Sequence, residues 1–260
     1  MPWIDLNDED IYYVEAGNAD AQPMVFLHGM TSCGEAWWQQ FEYFSSKYHV
    51  FAYDSVNHGH SSNSPRGKDE PDRTDELEAF LNAKQLSKPI LAGNSMGGAT
   101  ILRWAARHPA EATALIVSGM GIAARGQSQF RDVKPLDNET IFLPTGNSLT
   151  DKLKQERPLM FQRYLRIRST ATRLEFLRHP RARNPKTVAE TKAIDDSIQR
   201  VESPMLVIIG SLDALIPNAK RLHKLLPHSH YCEIEGAPHN VYWEAASQWN
   251  TTVSEFITSL

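Results

Sequence analysis

Short runs of apolar residues recur along the chain, and most are followed by a stretch with apolar positions three and four apart. The runs at 23–29 (PMVFLHG), 48–54 (YHVFAYD), 89–93, 113–118, 204–210 (PMLVIIG) and 229–235 read as strands. Most are nearly continuous in apolar character, as a strand buried on both faces requires. Residues 11–16 (IYYVEA) alternate instead, like a hairpin strand with one wet face. Helical spacing fills 35–47, 75–86, 97–108, 217–226 and 243–258. In the second of these, Leu77, Phe80 and Leu81 share one face. Strands alternating with helices predict an α/β fold with a mostly parallel sheet flanked by helices.

That rhythm breaks after residue 118, and the next clear strand begins at 204. Structureless loops beyond roughly 15 residues are uncommon in a compact domain, so the interval should hold helices of its own. Residues 161–179 and 185–200 suit that role. The expected division is a core at 1–121 and 201–260, with a helical insertion at 122–200 over one end of the sheet.

Composition narrows the classes without naming one. The 260 residues suit one domain carrying an insertion. A net charge of −4 gives no general pull toward nucleic acid or an anionic membrane, and neither partner is expected. The two cysteines, Cys33 and Cys232, are too far apart in sequence to suggest a disulfide framework or a zinc site, and no metal is expected. The N-terminus is acidic without an apolar stretch, and no apolar run reaches the roughly 20 residues that span a bilayer. These features predict a soluble, cytoplasmic protein. They say nothing of its oligomeric state.

The candidate chemistry begins at 93–97, GNSMG, a G-x-S-x-G pattern between a strand and a helix. Glycines on both sides allow a sharp turn that lifts the central side chain from the sheet edge. Ser95 then stands at a helix N-terminus, where a developing anion is favoured. The plainer reading is a glycine-rich turn with an incidental serine. A serine hydroxyl needs a base, and the base needs an orienting carboxylate. In folds of this type they follow in the chain order Ser, acid, His. Asp213 lies just past 204–210 and His239 just past 229–235, which satisfies that order. His58 and His60 are the rival bases, and Asp54, Asp195 and Asp196 the rival acids. Each lies before the expected strand ends or out of order. As a base, His28 is set aside, since it lies upstream of Ser95 and reads as loop structure. Two backbone N–H groups should face the oxyanion, from Met96 after the nucleophile and from Met30 in the loop after 23–29.

With HGM at 28–30, DSVNHGHS at 54–61, GNSMGG at 93–98, the Asp213 loop and PHN at 238–240, the chain resembles the α/β-hydrolase superfamily over essentially its whole length. The resemblance implies that fold, with a helical cap inserted after the sixth strand. It also implies Ser95 as nucleophile, His239 as base, Asp213 as orienter, and an oxyanion hole from the Met30 and Met96 amides. Asn57 stands where relatives often carry a glycine, and asparagine tolerates the left-handed backbone such a turn needs. A serine nucleophile sets the chain apart from the haloalkane dehalogenases and epoxide hydrolases, which use a carboxylate.

Residues 157–183 hold eight arginines and one glutamate. A solvated helix face is the plainer reading, and a grip on a substrate carboxylate the sharper one. The substrate contacts expected are Arg157 and Arg163 there, and His28 and Gly29 in the loop after 23–29. GNSMGGAT and Asp54-Ser55 also resemble C–C bond hydrolases acting on carboxylate-bearing 1,5-diketones, but the HGM loop lacks their glycine-rich stretch. The reading favoured is a serine hydrolase that cleaves a small carboxylic ester or lactone through an acyl-enzyme, with no cofactor. The C–C hydrolase and a non-catalytic, ligand-binding member of the fold are the alternatives.

Overall fold

The computed structural model describes residues 2–63, 72–122, 148–171 and 188–260. Eight strands form one sheet: β1 (Trp3–Leu6), β2 (Glu9–Ala16), β3 (Pro23–Leu27), β4 (His49–Tyr53), β5 (Ile90–Asn94), β6 (Ala114–Ser118), β7 (Met205–Gly210) and β8 (His230–Ile234). Their spatial order is β1-β2-β4-β3-β5-β6-β7-β8. The β1–β2 and β2–β4 pairs are antiparallel, and every other pair is parallel. The apolar runs at 90–94, 114–118 and 205–210 are buried at every position, as a central strand covered on both faces demands.

The sequence pattern misses β1. WIDL is short, sits at the sheet edge and leaves Trp3 exposed. It reaches β2 through a two-residue turn in which Asn7 and Asp8 both take positive φ (56° and 68°), the backbone that matches strand twist in tight hairpins.

Side chains alternate across the sheet and build two cores. Val25, Leu27, Phe51, Leu91, Leu115 and Val207 face one cluster, whereas Met24, Phe26, Val50, Ile90, Ile116 and Ile208 face the other. The first is closed by α2 (Arg73–Ala83), α3 (Met96–Arg107) and, further along the chain, α7 (Ile216–Leu225). The second is closed by α1 (Trp38–Phe44) and α9 (Ala246–Thr258), with Trp37, Trp243 and Trp249 fully buried between them. The helix expected at 35–47 is a 3-10 turn (Gly34–Trp37) followed by α1. That expected at 243–258 is divided at Ala245 into α8 (Val241–Glu244) and α9.

After β6 the chain leaves the sheet and returns at β7. Within this interval lie α4 (Asp151–Glu156), α5 (Pro158–Ala171) and α6 (Val188–Ile198). Residues 123–147 and 172–187, with the second half of the helix expected at 161–179 and Arg173, Arg178, Arg181 and Arg183, lie outside the described residues. Leu153, Tyr164, Ile167 and Ala171 join the second core, while Ile198 joins the first. The inserted helices are therefore rooted on both faces of the sheet.

Candidate active site

The parallel strands end at one edge, and the loops leaving them there carry the singled-out residues. Beyond β5 stands Ser95, half-buried, with φ 53° and ψ −108°. Positive φ in a residue with a Cβ is strained, and it persists only where the surroundings over-determine it. They do so here. The Ser95 N–H donates to Ser118 O at 2.9 Å, extending the β5–β6 ladder one residue past the strand. Glycines are obligatory on both sides. A Cβ at Gly97 would lie 2.2 Å from Leu27 O, and one at Gly93 2.5 Å from the Gly97 carbonyl carbon. Helix α3 starts immediately at Met96, whose N–H has no carbonyl to bond one turn earlier in its own helix.

Beyond β7, Asp213 is buried and held by its own loop. Its N–H donates to Gly210 O at 3.0 Å, and its Oδ1 accepts from Leu215 N at 2.9 Å. Its Oδ2 lies 2.7 Å from Nδ1 of His239, which follows β8. That bond puts the ring proton on Nδ1 and leaves the Nε2 lone pair available. The two loops approach closely because β7 ends in glycine: a Cβ at Gly210 would lie 2.2 Å from Ala237 O. The end of β6 floors the imidazole, since a Cβ at Gly119 would lie 3.4 Å from His239 Cε1. Ser95 and His239 thus both border the Ser118–Gly119 turn.

Beyond β3 the loop 28–31 passes beside the serine, and a Cβ at Gly29 would sit 3.6 Å from Ser95 Cβ. Met30 follows, half-buried. His28, expected among the substrate contacts, has its ring bonded within the protein. The ring is buried, Nδ1 donates to Gly29 O at 2.8 Å, and Nε2 accepts from Ser55 N at 3.0 Å. Burial lowers its pKa to about 4, against the opposing pull of Asp54, so the imidazole is neutral. Its work is to pin the β3 loop to the loop after β4.

The rival bases and acids are engaged elsewhere. Asp54 accepts from Gly34 N at 2.7 Å and His60 N at 2.9 Å, and a Cβ at Gly59 would fall 2.0 Å from its Oδ2. His58 is fully buried, with Nδ1 3.1 Å from Val56 O, whereas His60 is largely exposed against Asp54. Asn57 adopts φ 68°, as its place in that turn predicts. Asp195 pairs with Arg221 at 2.5 Å, and Asp196 with Lys192 at 2.5 Å.

Of the arginines expected to meet a substrate carboxylate, Arg163 has partners within the protein. Arg163 lies over the Trp38 ring, 4.0 Å from its centroid, with Nη2 3.8 Å from Glu35. Arg166 reaches the same carboxylate at 2.6 Å. These contacts fasten α5 to the start of α1. Arg157 is exposed at the end of α4.

Sequence reasoning overlooked a polar chain beneath the site. Asn94 Nδ2 donates to Asn240 Oδ1 at 3.2 Å, and Asn240 Nδ2 donates to the Tyr164 hydroxyl at 2.8 Å. Each asparagine adjoins a residue already singled out, which is the one signal the sequence offers for them. A cleft of about 360 Å³ is lined by Tyr12, Cys33, Trp38, Phe41, Asp54 and His60, and none of Ser95, Asp213 and His239 lines it. Burial raises the Cys33 thiol pKa far above its usual range, which disfavours the thiolate. Among the described residues, no three His, Cys, Asp or Glu side chains gather as a metal site would, and no helix is long and apolar enough to cross a membrane.

Comparison with known proteins agrees with this architecture. The chain is similar to the pimeloyl-[acyl-carrier protein] methyl ester esterase of Vibrio cholerae, at 23% identity over 95% of this chain and 98% of that protein. It is also similar to the non-heme chloroperoxidase of Streptomyces lividans, at 25% identity over 96% of each. Among solved structures, the esterase RhEst1 from Rhodococcus sp. ECU1013 superposes with a TM-score of 0.81 at 22% identity, covering 99% of this chain and 98% of its own. The family profile described as alpha/beta hydrolase fold matches residues 22–246, and the chain is accordingly a member of the alpha/beta hydrolase family.

Proposed function

We propose that the protein is a serine hydrolase that cleaves a small carboxylic ester or lactone through an acyl-enzyme. The observation that carries this reading is the 2.7 Å bond between His239 Nδ1 and Asp213 Oδ2, at the same sheet edge as the strained turn that presents Ser95. His239 Nε2 takes the proton of Ser95 Oγ as that oxygen attacks the acyl carbon. The carbonyl π electrons move onto oxygen, where the N–H groups of Met30 and Met96 receive the charge. The tetrahedral adduct collapses, the C–O bond to the alcohol breaks, and His239 returns its proton to the departing oxygen. Water then repeats the sequence on the acyl-enzyme, with His239 again as base, and frees the acid and Ser95. Each proton moves between His239 and an oxygen, so neither metal nor organic cofactor enters. The Asp213 carboxylate, bonded to Nδ1, steadies the imidazolium.

An ester or lactone is favoured over a carboxylate-bearing diketone because Arg163, one of the two arginines expected to grip an anion, is engaged with Trp38 and Glu35. Turnover is favoured over mere binding by the Asp213–His239 bond, which orients an imidazole as a base and which simple ligand capture does not need. The test is hydrolysis of a short p-nitrophenyl ester. Ser95→Ala and His239→Ala should each lower kcat/KM by about 10³-fold or more with an unaltered melting temperature, whereas His60→Ala should leave it within twofold. Full activity in Ser95→Ala overturns the proposal. Loss in His60→Ala, with His239→Ala active, would move the base to the other loop.

A further inference from the structure

Asn94 immediately precedes Ser95 and Asn240 immediately follows His239, and both are buried. The two amides are joined at 3.2 Å, and the outer end of the chain is the hydroxyl of Tyr164 on α5, 2.8 Å from Asn240 Nδ2. Asn240 is held on other sides as well. Its N–H donates to Ser148 O at 3.1 Å, and its carbonyl accepts from Trp243 N and Glu244 N, which starts helix α8. Tyr164 is itself buried, with its ring edge-on to Trp243 at 5.5 Å. One inserted helix, the residue after the imidazole and the residue before the hydroxyl therefore share a single line of hydrogen bonds.

We infer that Tyr164 is a positioning residue: through Asn240 and Asn94 its hydroxyl holds His239 and Ser95 in mutual register with α5. The inference rests on the Ser95–His239 reading above. Its physical basis is the cost of an unpaired buried amide. Without the tyrosine oxygen, Asn240 Nδ2 has no acceptor among the described residues, and the side chain must turn to find one. Asn240 is bonded to His239 through the peptide chain, so that turn shifts the imidazole. Attack geometry is sensitive to displacements well under an ångström, and the substrate pocket need not change at all.

Tyr164→Phe isolates the hydroxyl, because the ring and its packing on Trp243 remain. With a p-nitrophenyl ester, kcat should fall about three- to tenfold while KM stays within twofold. The rate of labelling by a fluorophosphonate probe, per folded molecule, should fall in parallel. A residue that merely supports the fold would lower the melting temperature and leave both rates intact. In a double-mutant cycle with Asn240→Ala, the double variant should lose no more than Asn240→Ala alone, since both changes break the same bond. An unchanged kcat in Tyr164→Phe, a rise in KM alone, or strict additivity overturns the inference. Should Asn240→Ala fail to fold, the kcat and labelling rates of Tyr164→Phe decide. Ser95→Ala, run alongside, separates the two claims. If it is inactive and Tyr164→Phe is normal, only the positioning role falls; if it is fully active, the proposed function falls and takes this inference with it.

Discussion

At position 97 a single methyl group tests the turn around Ser95. The Cβ of alanine would press on the Leu27 carbonyl, which is backbone inside a paired strand and has no room to yield. Gly97→Ala should therefore destabilise the protein by about 3 kcal/mol, read from urea unfolding, and lower activity per folded molecule. Gly236 is the control. It has positive φ (69°) but open space around it, so Gly236→Ala should cost only about 1 kcal/mol and leave activity alone. Equal losses at the two positions would mean that the strand yields to the added methyl group and close approach does not dictate the glycine at 97. The sequence shows two glycines around a serine; it does not show which neighbour forbids a side chain. Leu27 is distant along the chain, and only the folded sheet brings its oxygen there. The same limit hid the destination of Arg163. A run of arginines is visible in the sequence, but its partners Trp38 and Glu35 become visible only once α5 packs beside α1.

Between elements, the strongest ties at the site run from loop to loop, and His28 is the plainest of them. The unfolded chain binds a proton at this imidazole near pH 6.5, whereas the folded protein resists it until about pH 4. Above 6.5 neither state is protonated and the contribution is complete. As pH falls from 6.5 to 4, the unfolded state gains a proton the native state lacks, so stability declines. Below 4 both are protonated and the slope from this residue ends. Urea unfolding across that range should show the decline, and His28→Gln should flatten it while being less stable at pH 7. A slope unchanged in His28→Gln would assign the acid sensitivity to other groups. Strands buried on both faces were legible because their apolar runs are too short for a helix and are bounded by turn residues. The edge strand β1 was not, because pairing on one side asks little of its side chains; its mark is the Asn7-Asp8 turn. Ser95, Asp213 and His239 could be nominated from sequence because the G-x-S-x-G turn marks the first, and loops that follow parallel strands share an edge, which picks out the other two in chain order. Asn94, Asn240 and Tyr164 could not. Their bonds join residues 146 and 76 apart, and a buried asparagine looks in sequence like any other.

For the whole molecule, the three singled-out side chains come from loops following β5, β7 and β8, and the inserted helices are anchored in the cores on both faces of the sheet. Such an edge has no independent scaffold. Ester hydrolysis and far-UV ellipticity should therefore disappear at the same urea midpoint. Activity lost at clearly lower urea would show that the loops part before the sheet does. The dihedral angles at residue 95 belong to this global scale too, because the ladder to β6, the crowding at Gly97 and the start of α3 together impose them. If the proposed hydrolysis holds, a chain of this design gives up durability at its nucleophile: relaxing that one residue should make a sturdier protein with less activity.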